Sequence, residues 1–282
     1  MRLPIIIVAV IAGTACPEPE PEPLNLRVMT FNVMCSFCGD GHFDDETYGD
    51  WAERLPHLQE IIRRHDADLI GLQELFYTRP GANQTDEVAD LLGRSETYDA
   101  LYYESREVFD YPDATILYRK ARFTPIEQGV FWLSPTPDEP YSTGFDPGGQ
   151  LSRLVYWAVF QEIESGRTVA FTTTHFDNNT PSQELSAPLL LERTAGLAAD
   201  HPLIVTGDFN ADLSDPAYTI LTGASGDGTH SLRNTFDAVD QPTVIGTQED
   251  YPWDLRIDHI FLGGAATEAA EVLDWTIDLS VY

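Results

Sequence analysis

Residues 203–214 read LIVTGDFNADLS, and this stretch decides how the rest of the chain is understood. Four apolar or β-branched residues lead into Gly207, then Asp208, Phe209 and Asn210 follow. A short apolar run of this kind predicts a buried strand. Positions two apart on an extended segment share a face, so Asp208 and Asn210 are expected on the same side, at the rim of a sheet. Taken alone, an Asp-x-Asn after glycine reads as an Asx-turn. It also reads as one wall of a site.

The pattern recurs along the chain. Asn32 closes LRVMTFNV (26–33), Glu74 closes ADLIGLQE (67–74), and His175 stands near the end of RTVAFTTTHF. Asp258 and His259 interrupt RIDHIFLGG (256–264). Singly, each is an ordinary turn or surface residue. Together they are apolar runs that give way to acid–base or metal-type side chains, which converge on one rim if the strands align. Between them, Trp51, Leu55, Leu58, Ile61 and Ile62 mark one face of a helix over 50–65. Pro56 is tolerated there if the helix starts near Glu53. A second helix is expected over 84–93 and a third over 183–199. Strands are expected at 98–105, 113–120 and 127–134, with a hairpin around ESGR (164–167) and a Pro/Gly-rich loop at 135–150. So few helices do not fit an all-parallel doubly wound sheet. Two packed mixed sheets with helices outside fit better.

A chain of 282 residues suits one large domain. Its 46 acidic residues against 16 basic ones give a formal charge of −30, and Lys120 is the sole lysine. Such a surface repels nucleic-acid phosphate, which lowers nucleic acid as a substrate. At the N-terminus, Arg2, the apolar IIIVAVIAG (5–13) and Cys16 form a lipoprotein-like signal over residues 1–16, with plain secretion or an uncleaved anchor as the alternatives. The apolar run is too short for a permanent span. The PEPEPEP run (17–23) is a stiff tether. The folded domain is expected over 24–282. Cys35 and Cys38 sit in CSFC, where a local disulfide is favoured over free thiols or zinc.

Glu, Asp, Asn and His together suit hydrolysis of a phosphate ester. Carboxylate oxygens with retained waters are what Mg²⁺ takes. A carboxylate near a histidine can activate water, and a neutral amide can hold a phosphoryl oxygen. No His-Glu-x-x-His and no Gly-x-Ser-x-Gly is present, so zinc proteolysis and serine hydrolysis fit poorly.

The ordered segments MTFNV (29–33), DADLIGLQE (66–74), DATILYRKARF (113–123), TTTHFD (172–177), VTGDFNADLSDPAY (205–218), TFDAV (235–239) and RIDHIF (256–261) resemble the endonuclease/exonuclease/phosphatase superfamily. That superfamily also contains magnesium-dependent sphingomyelinases and inositol polyphosphate 5-phosphatases. The resemblance implies a four-layer α/β sandwich of two packed mixed sheets flanked by helices. It implies Glu74, Asn32 and Asp258 at a divalent metal, Mg²⁺ or else Mn²⁺ or Ca²⁺. It gives Asp208 the attacking water, Asn210 the phosphate, and His259 the part of general base or transition-state donor, oriented by Asp237. His175 matches a histidine of the hydrolase branches. The chain departs from the pattern at Ile257, where many members have serine before Asp-His. It also lacks the basic loops of the DNA-cleaving members.

Arg153 reads as a phosphate ligand or a salt-bridged strand residue. Asp177 and Asn178 line the site or form a turn. Trp132 reads as core packing sooner than as a substrate platform. The expectation is an exported, lipid-anchored, monomeric phosphodiesterase using in-line water, with small diesters or phospholipid head groups ahead of nucleic acid. The alternatives are a nuclease, a sugar or inositol phosphatase, and a catalytically silent surface lipoprotein.

Overall fold

A computed structural model describes residues 23–35, 51–75, 88, 90–92, 96–103, 113–143, 145, 152–223, 231–246, 256–264 and 266–279. The signal at 1–16, the tether through residue 22 and Cys38 lie outside these residues. Cys35 is disulfide-bonded.

The strands are β1 (Val28–Asn32), β2 (Leu69–Gln73), β3 (Tyr98–Tyr102), β4 (Thr115–Arg119), β5 (Phe123–Trp132), β6 (Leu154–Glu162), β7 (Thr168–His175), β8 (Leu203–Asp208), β9 (Arg233–Asn234), β10 (Thr243–Gly246), β11 (Asp258–Gly263) and β12 (Thr276–Leu279). The helices named here are α1 (Trp51–His65), α2 (Thr180–Asp200), α3 (Pro216–Leu221) and α4 (Ala266–Ala269). One sheet has the order β1-β2-β4-β3, the other β5-β6-β7-β8-β11-β9, and β10 and β12 form a small parallel ribbon. Both large sheets are mixed: β1 and β2 run parallel, as do β7 and β8, while their other pairings are antiparallel.

Three apolar layers define the sandwich. Trp51, Leu58 and Ile62 of α1 pack on Ile70, Leu72 and Leu117 of the four-stranded sheet. Leu69, Ile116, Phe160, Phe171, Ile204 and Leu262 fill the space between the sheets. Leu190 and Leu191 of α2 cover Val205 and Phe261 on the far face of the six-stranded sheet. Strand alternation explains the division, since Ile204 and Val205, or Phe261 and Leu262, are neighbours on opposite faces.

The sheets approach closely at Gly71. A Cβ there would lie 2.2 Å from the Thr206 hydroxyl and 2.6 Å from that of Thr173. Gln73 spans the gap, donating from Nε2 to Thr173 Oγ1 at 2.9 Å. The glutamine of the GLQE segment is therefore a staple between sheets, and its neighbour Glu74 faces the site. Helix α1 begins at Trp51, earlier than the Glu53 expected, which puts Pro56 inside the helix. Its ring removes one backbone donor, and packing of the apolar face outweighs that loss.

Candidate active site

Strand ends at one edge of the two sheets bring Asn32, Glu74, Asp113, His175, Asp208 and Asp258 together. Register fixes the arrangement: Asn32 pairs with Gln73, His175 with Asp208, and Asp208 with Asp258. Three residues at this edge adopt left-handed backbone: Met34 (φ 56), Glu74 (φ 62) and Asn210 (φ 47). Non-glycine residues are uncommon there, and such conformations gather at functional sites. Each of the three N–H groups is held by a neighbouring side chain. Met34 donates to Asn32 Oδ1 at 2.9 Å, Asn210 donates to Asp208 Oδ1 at 2.9 Å, and Glu74 donates to Asp113 Oδ1.

Strand β8 therefore ends at Asp208, and Asn210 reaches the site through a turn, not along an extended strand. The Asx-turn and the site are the same structure. The Asn210 amide donates to Phe176 O at 3.0 Å and lies 3.0 Å from His175 Nε2. Gln183 Nε2 holds the Asn210 carbonyl at 2.7 Å and the Asp177 carbonyl at 3.0 Å. Asp177 itself caps the Asn178 N–H at 2.8 Å, which is the turn reading of that pair.

Asn32 sits between two carboxylates. Its Nδ2 donates to Glu74 Oε1 at 2.9 Å and to Asp208 Oδ2 at 3.0 Å, while its oxygen accepts from Met34. The amide nitrogen faces the carboxylates, so Asn32 here fixes their spacing and does not present its oxygen alongside them. Glu74 Oε2 accepts the Cys35 N–H at 2.9 Å.

Asp113, which opens the DATILYRKARF segment and has no site role in the sequence analysis, is the hub of a buried network. Its Oδ2 binds Arg153 Nη1 at 2.6 Å and His175 Nδ1, and its Oδ1 takes the Glu74 N–H. The available signal was an acid abutting the apolar ATILY run, the mirror image of the acids at strand ends. Arg153 is thus ion-paired with Asp113 at the margin of the site.

His175 is buried, and burial alone would lower its pKa. The Asp113 carboxylate overcomes this, so the net shift is upward. The hydrogen bonds deduce the resting tautomer: Nδ1–H faces Asp113, and Nε2 accepts from the Asn210 amide. Nε2 lies 3.7 Å from Asp208 Oδ2.

Asp258 is exposed at the start of β11, facing Asp208 across the β8–β11 pairing. Its pKa is raised, first by desolvation, then by the charges of Asp208 and Glu74, with His175 opposing. A clustered set of like-charged oxygen donors of this kind favours a hard cation with retained waters. Among the described residues, no group of three or more His, Cys, Asp or Glu residues is arranged to hold a metal ion. Glu74 and Asp258 present the oxygens suited to a partly hydrated ion.

His259 is placed elsewhere. Alternation along β11 turns Asp258 toward the site and His259 to the opposite face of the sheet. There its ring packs 5.8 Å from Phe209 and 5.2 Å from Tyr218 and Phe261, centroid to centroid. Nε2 donates to Ala211 O at 3.0 Å, and Nδ1 accepts from Asn234 at 3.2 Å. Burial pushes its pKa down to about 4. The expectation of a catalytic His259 is corrected: both nitrogens are engaged away from the carboxylates. Asp237 does not hold this ring; it is exposed, and the ring nitrogens meet Asn234 and Ala211 instead.

The family model described as "Endonuclease/Exonuclease/phosphatase family" matches residues 29–279, and the chain belongs to that family. Its members hydrolyse phosphate esters. An endonuclease/exonuclease/phosphatase family protein from Bacteroides thetaiotaomicron is 27% identical, with a TM-score of 0.68 over 84% of this chain and 81% of that one. The mannosyl-6-phosphatase of Bacteroides thetaiotaomicron VPI-5482 is 26% identical, with a TM-score of 0.69 over 86% of each chain. An uncharacterized protein, R895, of Acanthamoeba polyphaga mimivirus is 25% identical over 227 residues, 70% of this chain. The chain spans about a third of that relative's length, the match covering 32% of it.

Proposed function

We propose that the chain is a divalent-metal-dependent phosphodiesterase acting on small or lipid head-group diesters, exported and held at a membrane by its N-terminus. One observation carries the chemistry: Asp208 is fixed on both oxygens, by Asn32 and by the Asn210 N–H, with His175 Nε2, held by the Asn210 amide, at 3.7 Å. A carboxylate so held is oriented to take a proton from water. Asn210 can meet a phosphoryl oxygen without adding charge by turning the N–H that now faces His175 Nε2, which also frees that nitrogen for a proton. Asp113 stabilises positive charge on His175, so a proton arriving at Nε2 is accommodated and can pass to the leaving oxygen. A divalent ion held by Glu74 and Asp258 would neutralise charge on the phosphoryl oxygens. Arg153 is already ion-paired with Asp113, and an edge so rich in carboxylates favours the single charge of a diester.

The named mannosyl-6-phosphatase supports a second reading, hydrolysis of a sugar phosphate monoester. The test is turnover of bis(p-nitrophenyl) phosphate, phosphatidylcholine vesicles, hexose 6-phosphates and supercoiled DNA, each with Mg²⁺, Mn²⁺, Ca²⁺ or chelator. The expected result is metal-dependent cleavage of diesters, abolished by Asp208→Ala. Cleavage of hexose 6-phosphate alone selects the second reading. Nicked DNA would show that overall charge misleads, and silence with every ester and metal would refute a hydrolase.

A further inference from the structure

Tyr103, Trp132 and Tyr141 form a three-ring cluster beside the carboxylates and take no part in the chemistry above. Tyr103 meets Trp132 at 5.1 Å and 89°, and Tyr141 at 5.7 Å and 73°; Trp132 and Tyr141 are 6.1 Å apart at 62°. Trp132 is buried, and the two tyrosines are half-buried. Strand register sets them next to the site. Trp132 pairs with Leu154, the residue after Arg153, and the Leu133 N–H donates to Arg153 O at 2.8 Å. Tyr102 pairs with Thr115, which brings Tyr103 beside Ala114, the neighbour of Asp113.

The segment carrying Tyr141 is pinned. Ser134 and Ser142 share a hydroxyl contact of 2.6 Å, Ser142 Oγ donates to Thr136 O at 2.9 Å, and Asp138 is ion-paired with Arg193 of α2. Tyr141 itself has φ 61. A bulky residue in this region costs on the order of 1 kcal/mol or more, where glycine or asparagine would cost little. An aromatic residue held in a disfavoured backbone conformation by these contacts is suited to presenting its ring to a ligand.

We propose that Tyr103 and Tyr141, backed by Trp132, receive the sugar ring of the substrate's alcohol portion while the phosphoryl group sits at Asp208 and Asn210. This rests on the phosphoester reading above and applies to a diester or a monoester alike. The near-perpendicular rings make a corner, which fits a puckered ring offering C–H groups to the aromatic faces. They do not make the parallel slot that stacks a nucleobase. The formal charge of −30 further disfavours a polynucleotide.

The test compares affinities in the Asp208→Ala chain, which leaves ligand intact. Glucose 6-phosphate, mannose 6-phosphate, glycerol 3-phosphate and adenosine 5′-monophosphate are titrated calorimetrically. A hexose ester is expected to bind about fivefold or more tighter than glycerol 3-phosphate, the scale of one aromatic contact. Tyr141→Ala should erase that ratio, and Tyr141→Phe should keep it, because the ring face makes the contact. Equal affinities in the Asp208→Ala chain, a ratio that survives both Tyr141→Ala and Tyr103→Ala, tighter binding of the nucleotide, or no binding at all would each overturn the proposal. Failure of the hydrolase reading appears separately, as absent turnover in the unsubstituted chain, because the affinity ratio needs no chemistry.

Discussion

Asp113 and His259 show how much a single side chain's meaning depends on what surrounds it. Asp113 holds the Glu74 backbone, the Arg153 guanidinium and the His175 ring at once. Removing it leaves a buried guanidinium without its carboxylate. Asp113→Ala is expected to lower stability by about 3–5 kcal/mol in urea unfolding, and to reduce turnover sharply. His259 gives a pH prediction. Its folded pKa of about 4 lies below the ordinary histidine value of about 6.5. The unfolded chain therefore binds the extra proton between those values, and stability falls as pH drops through that window. The loss reaches about 3 kcal/mol at this one site. Equilibrium unfolding at pH 7 and pH 4.5 should show a smaller difference in His259→Phe than in the unsubstituted chain. The sequence displayed Glu74, Asp208 and His175 because each ends an apolar run. It hid Asp113, which begins one, and it could not distinguish Asp258 from His259, because adjacent residues on a strand face opposite ways.

At the scale of elements, the two parallel pairings β1–β2 and β7–β8 align the strand ends that carry the site. The close approach of the sheets beneath it depends on Gly71. Gly71→Ala would place a methyl against the Thr173 and Thr206 hydroxyls. It is expected to cost about 1–3 kcal/mol by overpacking and to loosen the Gln73 staple, read as a lower denaturation midpoint together with reduced turnover. The strands β2, β6, β7 and β8 were legible as continuous apolar runs, and α1 from its helical periodicity. The short pieces β9, β10, β12, α3 and α4 were not. They are two to six residues long and carry no continuous buried apolar run, and tertiary contacts hold them. The β10–β12 ribbon, for example, is tied to α1 where Asp278 meets Arg64 and His65.

For the molecule as a whole, the charge of −30 acts on any anionic ester before it reaches the site. Salt between about 0.01 and 0.15 M shortens the screening length from about 30 to 8 Å. The KM for a charged diester should therefore fall severalfold over that range, and that for an uncharged analogue should not move. The edge that carries the chemistry has an opposite edge that carries none. The hairpin joining β6 to β7 turns there through Ile163–Arg167, exposed along its whole length. Strand β7 alone puts roughly 25 Å between that turn and His175. The turn is thus a natural port for insertion. A peptide epitope or a fluorescent protein spliced between Ser165 and Gly166 would hang from the back of the molecule, and the chain could be tracked or immobilised there with its working face still turned outward.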